Sequence, residues 1–324
     1  ITVSAAGDTS IVLNGEQLQM SAIATPEDAT EVSVIWSVED GSGKATIDEY
    51  GLLIATESGT VTVKATAKDG LGALGIKEIS VAVPVKVIDY AGDDTSIEIP
   101  EIIIGNQKGG GGDYEGIYIS NLLDYDEIGI VTDIEGYAFF NCYLTSVVIP
   151  SNVTSIGSYA FRYNKLSSVV IPENVTSIGA YAFSTNQLVS VLISGSVTDI
   201  GSYAFYSNQL SSVIIPESVV NIGSYAFCYN ELSNVVISEG VTNIGSCAFY
   251  DNQLTNIVIP ESVTSIGSSA FSSNKLTRIT IGEGVMIGDN LLGGSGNNHF
   301  RNAYEIGGAG SYVGTQSGYW TKIS

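Results

Sequence analysis

The side chains able to do acid–base, nucleophilic or metal chemistry are few in this chain, and their spacing does not suit it. His299 is the single histidine. A Ser-His-Asp or Cys-His unit would have to use it, and no neighbouring motif supplies a residue to hold its ring. One histidine and three scattered cysteines, Cys142, Cys228 and Cys247, make no zinc set. An odd, sparse count makes no disulfide framework either. Cys228 and Cys247 are expected as free thiols, with a bridge between them left open. "DYDEIGIVTDIE" (124–135) puts Asp124, Asp126, Gly129 and Glu135 at positions 1, 3, 6 and 12 of an EF-hand loop. Ile128 then stands at position 5, where calcium needs an oxygen. The glycine run 109–112 is not followed by the Gly-Lys-Ser/Thr of a phosphate loop. Glu173, Glu217, Glu239, Glu261 and Glu283 form a row interrupted at Gly195. Glycosidic cleavage needs two carboxylates in unlike environments, and a uniform row supplies one. The expectation is no catalysis, no metal and no cofactor.

Any working surface must instead be positioned by a repeat. Phe139, Phe161, Phe183, Phe205, Phe227, Phe249 and Phe271 follow one another at steps of 22 residues, as do the leucines from Leu144 to Leu276 and the isoleucines from Ile149 to Ile281. Fixed self-similarity of this length, with aliphatic residues at set positions, predicts a solenoid of leucine-rich-repeat type over 127–287. In the unit 166–187, "LSSVVIP" is a β-branched strand closed by Pro172, which has no N–H for a ladder. "ENVTSIG" stays extended, and "AYAFSTNQ" suits a single helical turn. Leu166, Val169, Ile171, Val175, Ile178, Ala182 and Phe183 point inward. The spacing also fits the general pattern LxxLxLxxN read from Ile156 onward, so the segment that forms the main sheet stays open, and the "LxxVxIP" strand is preferred.

Identical residues of successive coils should stack in rows about 4.8 Å apart. The row Cys142, Asn164, Asn186, Asn208, Asn230, Asn252, Asn274 reads as a buried ladder that satisfies loop backbone. Between the inward residues of "LxxVxIP" lies an outward row, Val148, Val170, Leu192, Ile214, Val236, Val258, flanked by Ser168, Ser190, Ser212, Asn234 and Asn256. These are the candidate ligand-binding residues, expected on the concave face of the solenoid. A stripe about 30 Å long exposing roughly 300–400 Å² is near the size that marks an interaction site. Tyr137, Tyr159, Tyr181, Tyr203 and Tyr225 make a further row, suited to recognition of proteins or glycans and equally to simple stacking.

The consensus "LxxVxIPxxVxxIGxYAFxxN" resembles the BspA-like leucine-rich repeat of bacterial surface proteins. It departs from the usual form in ending on Asn rather than Cys and in holding 22 residues where 23 is usual. Residues 1–84 follow a different pattern: "VSVIWSVED", "ATIDEYGLLIAT" and "GTVTVKATAKDG" alternate between apolar and polar and break at Gly, Asp and Pro. That argues for a β-sandwich with Trp36 as its core aromatic. Through Pro26, Trp36, "ATID", Gly51 and "GTVTVKATAKDG" the segment resembles the bacterial immunoglobulin-like group 2 domain. That resemblance implies a spacer or presentation module. Residues 85–126 read as linker and N-terminal cap. Residues 288–324 break the period and resemble the closing segment of many BspA-like proteins, with Phe300, Tyr304 and Trp320 covering the last coil.

The fold class is therefore mainly β: an Ig-like β-sandwich followed by a capped solenoid. The formal charge of −22 repels phosphate backbones and anionic lipid, so nucleic acid is not expected as a partner. No apolar run approaches the ~18 residues of a membrane span. The resemblance implies an extracellular or cell-surface location and adhesion. The partner would be a host or matrix protein or another surface protein, with a glycan as a further candidate, and the chain is expected as a monomer. Two alternatives stand beside adhesion: a structural spacer or scaffold for another domain, and a carbohydrate-binding accessory module.

Overall fold

The computed structural model describes residues 1–8, 11–13, 15–23, 33–68, 73–90, 96–98, 102–104, 117–119, 128–293, 296–315 and 319–324. Two compact units hold most of the chain, Ile1–Val85 and Thr132–Ser324, with the intervening segment divided between them. Asp124 and Asp126 of the EF-hand-like stretch, Pro26, and the glycine run 109–112 lie outside the described residues.

The first unit is the β-sandwich. One sheet has the order β1 (Thr2–Ala5), β3 (Gln17–Ile23), β6 (Leu52–Glu57), β5 (Lys44–Ile47). The other joins β4 (Val34–Asp40), β7 (Gly59–Ala67) and β8 (Leu74–Tyr90) antiparallel, with β2 (Ile11–Leu13) parallel to β8. The alternation in β7 sends Val61, Val63, Ala65 and Ala67 into the core, beside Leu53, Ile79 and Val81. Trp36 is half-buried against this core. Its indole explains Gly51, where φ is +83° and an added Cβ would lie 2.9 Å from the ring. Asp48 Oδ1 accepts from Tyr50 N at 2.9 Å and Leu52 N at 2.8 Å, closing the turn that delivers Gly51 to that place.

The second unit is the solenoid. All seven inward residues of the unit 166–187 are buried, and the seven phenylalanines stack ring on ring at 5.0–5.5 Å. The continuous parallel ladder belongs to the two-residue strands, from Ser155–Ile156 to Ser265–Ile266 and Met286–Ile287, in register at each step. The "LxxVxIP" strands are longer but pair two by two, Ser168–Val170 with Ser190–Leu192 and Ser212–Ile215 with Asn234–Ile237. The preference for that segment thus holds for strand length and fails for continuity. A glycine closes each short strand, because a Cβ at Gly201 or Gly223 would meet the backbone of the preceding coil at 2.5–2.6 Å. Both ends of the array are covered. Ser96–Glu98 adds a parallel strand beside Ser146–Val148, and Gly310–Gly314 adds an antiparallel one beside Arg278–Ile281.

The "YAF" corner is not the helical turn expected. Its N–H groups alternate in direction: Tyr159, Phe161 and Tyr163 donate to Ala180, Ala182 and Ser184 of the next coil, while Ala160 and Arg162 donate three residues back to Gly157 and Tyr159. The alternation requires two left-handed residues per coil. One row runs from Tyr137 to Ser269 at φ 53–66°, the other from Asn141 to Ser273 at φ 54–61°. Each costs about 1–2 kcal/mol in a non-glycine residue, and each gains an inter-coil hydrogen bond that a helical turn would forgo.

Candidate functional site

The asparagine ladder sets the geometry of each coil. Asn186 Oδ1 accepts from Leu166 N at 3.1 Å; its Nδ2 donates to Phe161 O at 2.9 Å and Phe183 O at 3.2 Å. Asn164, Asn208, Asn230, Asn252 and Asn274 repeat this arrangement. One amide thus satisfies three backbone groups in two coils, and only a side chain with donor and acceptor at one end can do so. Asn164 to Asn252 are buried and Asn274 is half-buried. Cys142, at the head of the row, is half-buried, and its thiol donates to Phe140 O at 3.5 Å.

With each strand pinned at its start, Val169, Ile171 and their equivalents turn inward and the residues between them turn out. Val148, Val170, Leu192, Ile214, Val236 and Val258 are 44–65% exposed. Ser168, Ser190, Ser212, Asn234 and Asn256 are exposed beside them. Parallel register brings Val170 opposite Leu192 and Ile214 opposite Val236. A depression of about 500 Å³ lies beside Val148 and Val170, walled by Ser151, Pro172, Glu173 and Asn174. Thr280, opposite Val258 one coil further on, is half-buried because Ser311 of the C-terminal strand lies on its other side, with the hydroxyls 3.0 Å apart.

The tyrosine row stacks. Tyr137, Tyr159, Tyr181, Tyr203 and Tyr225 lie at centroid spacings of 4.4–4.7 Å with planes within 10° of parallel. Beside them Tyr206, Tyr229 and Tyr250 meet edge to face. The reason is backbone register: identical left-handed residues one coil apart hold identical rings one strand-spacing apart. Sequence reading did not find the placement of Arg162. Its guanidinium lies over Tyr159, Tyr163 and Tyr181 at 5.4, 4.4 and 4.7 Å. The signal was available as a lone cation in a row otherwise holding Phe140, Ser184, Tyr206, Cys228, Tyr250 and Ser272.

The remaining candidates stay apart. The three cysteines are free thiols. Burial, with Cys247 and Asp251 nearby, pushes the Cys228 thiol up to about 12. His299 packs its ring 4.3 Å from Tyr319. Phe300 is fully buried and meets Trp320 and Tyr312 edge-on at 5.3 and 5.6 Å. The Tyr304 hydroxyl donates to Gly282 O and accepts from Val285 N, both at 2.8 Å. Arg301 Nη2 donates to the carbonyls of Ile287 and Gly288 at 2.9 and 2.7 Å, closing off the last short strand. Among the described residues no three His, Cys, Asp or Glu side chains come together as metal ligands. No helix among them is long and apolar enough to cross a membrane.

Comparison with known proteins agrees with this architecture. The BspA type leucine rich repeat region, in six copies, matches residues 127–232 and 198–302, and the bacterial Ig-like domain (group 2) matches residues 1–76. The tail tube protein pb6 of Escherichia phage T5 is 45% identical over 83 residues, 25% of this chain and 18% of the phage protein. A 3-O-alpha-D-galactosyl-alpha-L-arabinofuranosidase of Bifidobacterium longum is 36% identical over 80 residues, 25% of this chain and 7% of the enzyme. The chain therefore spans less than a fifth of either relative. Among solved structures, a leucine rich cell surface protein of Faecalibacterium prausnitzii aligns at 29% identity and TM-score 0.48, over 81% of this chain and 59% of that one. The pneumococcal vaccine antigen PcpA aligns at 18% identity and TM-score 0.43, over 77% and 67%. The chain belongs to the BspA-type leucine-rich repeat family and carries a bacterial immunoglobulin-like domain of group 2 ahead of its repeats.

Proposed function

We propose that this chain is a non-catalytic adhesion module at the outer surface of a bacterium, binding a host, matrix or surface protein through the concave face of its solenoid. The observation that carries the reading is the aliphatic stripe: six valine, leucine and isoleucine side chains stand 44–65% exposed in one row of adjacent coils. A β-strand position facing water is ordinarily polar on alternate residues, and a contiguous apolar row at the surface marks a contact surface. The exposed Ser168, Ser190, Ser212, Asn234 and Asn256 beside it supply the polar rim that such an interface uses for orientation. Family membership and the immunoglobulin-like domain support the surface location.

The test is binding of the chain to a panel of immobilised matrix proteins, beside the variant Leu192→Ser/Ile214→Ser/Val236→Ser. These side chains are exposed, so the variant should fold. Saturable binding that the variant loses by about tenfold or more supports the stripe as the ligand face. Equal binding by both proteins removes it from that role.

A further inference from the structure

We infer a second, independent binding surface at the corners of the first two coils, with the chemistry of a site for an anionic saccharide. The chain carries 34 acidic residues against 12 basic ones, yet from Gly136 to Pro172 it has no Asp or Glu. The only charged side chains in that stretch are Arg162 and Lys165, half of the basic residues in 127–287. Among the described residues neither forms an ion pair with a carboxylate.

Both cations are set into aromatic surface. Tyr137 meets Phe140 edge-on at 5.6 Å, Phe140 meets Tyr163 at 5.5 Å, and Arg162 Nη2 donates to the Tyr163 hydroxyl at 2.9 Å while its plane lies over that ring. Lys165 Nζ lies 5.4 Å over Tyr143. These rings remain open to solvent: Tyr137 is 56% exposed, Phe140 37%, Tyr143 58% and Tyr163 42%. Further along the array this character is lost. The row of Arg162 continues as Ser184, Tyr206 and Cys228, and acids enter at Glu231 and Asp251.

Open aromatic rings bind the C–H faces of sugars, and ring-mounted cations provide fixed positive charge. A carboxylate or sulfate on the sugar would meet Lys165 and Arg162 while its pyranose ring lies on Tyr143 or Tyr163. An acidic peptide would use the charge and leave the rings idle. In a chain of net charge −22 the patch also locates any anion, because the remaining surface repels it.

The experiment titrates the full chain with four probes: a heparin-derived octasaccharide (sulfated), an oligogalacturonate of equal length (carboxylated), a neutral cello-oligosaccharide and poly-glutamate. The expected result is saturable, salt-sensitive binding of one or both anionic saccharides, with the tighter one identifying the anion. The neutral sugar and poly-glutamate should bind at least about tenfold more weakly. Lys165→Gln and Tyr143→Asn, the latter chosen because Asn tolerates the left-handed backbone at φ 60°, should each weaken saccharide binding about tenfold. The stripe variant Leu192→Ser/Ile214→Ser/Val236→Ser should bind saccharide as the parent does, which separates this surface from the proposed protein-binding face. Absence of saccharide binding by the folded chain overturns the inference. So does poly-glutamate binding as tightly as the saccharides, or full binding by both single variants.

Discussion

The sandwich and the solenoid bury similar side chains by opposite means. In the sandwich, register sets unlike residues together: Ala65 lies between Trp36 of one neighbouring strand and Gly75 of the other. In the solenoid, Phe183 lies between Phe161 and Phe205, at 5.2 and 5.5 Å, and the buried leucine and asparagine rows repeat one residue type in the same way. The first core is a single set of contacts that forms as a whole. The second is a sum of coil interfaces, each repeating the last. A repeated interface can be extended without redesign, and its outward residues form rows by the same register. A sandwich face this small does not offer a straight row of six like side chains.

The largest effect expected from this difference is at the asparagine ladder. Asn208→Ala would leave Leu188 N without its partner and take one of two amide donors from each of Phe183 O and Phe205 O, which keep Asn186 and Asn230. At roughly 1–3 kcal/mol for the unsatisfied N–H and about 0.5–1.5 kcal/mol for each of the two other bonds, the loss should be on the order of 2–6 kcal/mol. The same change at half-buried Asn274 should cost distinctly less, since water can reach the freed groups. Urea unfolding followed by far-ultraviolet circular dichroism measures both. Equal costs at the two positions would break the account of the ladder as buried satisfaction.

In the sandwich, Ile79→Ala should cost about 2–5 kcal/mol through the cavity it opens. With Trp320→Phe as background, Trp36 becomes the only tryptophan, and its fluorescence follows the sandwich alone. The transition seen by Trp36 should fall while that of the coils holds. Matching shifts in both would show one cooperative core where two kinds are described.

A smaller effect should appear at Cys228, whose burial by the stacked coils raises its thiol to about 12. An unfolded thiol titrates near about 8.5, so the unfolded chain releases a proton that the folded chain keeps. The contribution to stability is complete below about pH 8.5 and falls as pH rises toward 12. Replacing Cys228 with Ala should flatten that part of the stability–pH curve. In the native chain iodoacetamide should label Cys142 and Cys247, both half-buried, well before Cys228. Labelling of all three at one rate would place the coil interior in contact with solvent.

Much of this was legible residue by residue. The step of 22, the inward set of the unit 166–187, the asparagine row and the outward aliphatic row each follow from one repeated phrase, because repetition turns a spacing into a position. The corner was misread as a helical turn. Tyr159 and Tyr163 have no local signal for left-handed backbone, and what draws them there is an acceptor one coil away. The choice of continuous sheet was equally hidden. "SI" is too short to read as a strand by itself, and becomes one only when its copies line up.

From the sequence alone came the period, the two unlike regions and the buried rows. These are properties of spacing and side-chain type, which the chain carries folded or not. The tertiary structure decided the rest: which short segment carries the unbroken ladder, that the tyrosines stack on one another, that three of their rings hold Arg162, and that Cys228 keeps its proton. Each of these depends on groups in different coils coming within a few ångströms, and the energy that brings them there belongs to the stack and not to any one repeat.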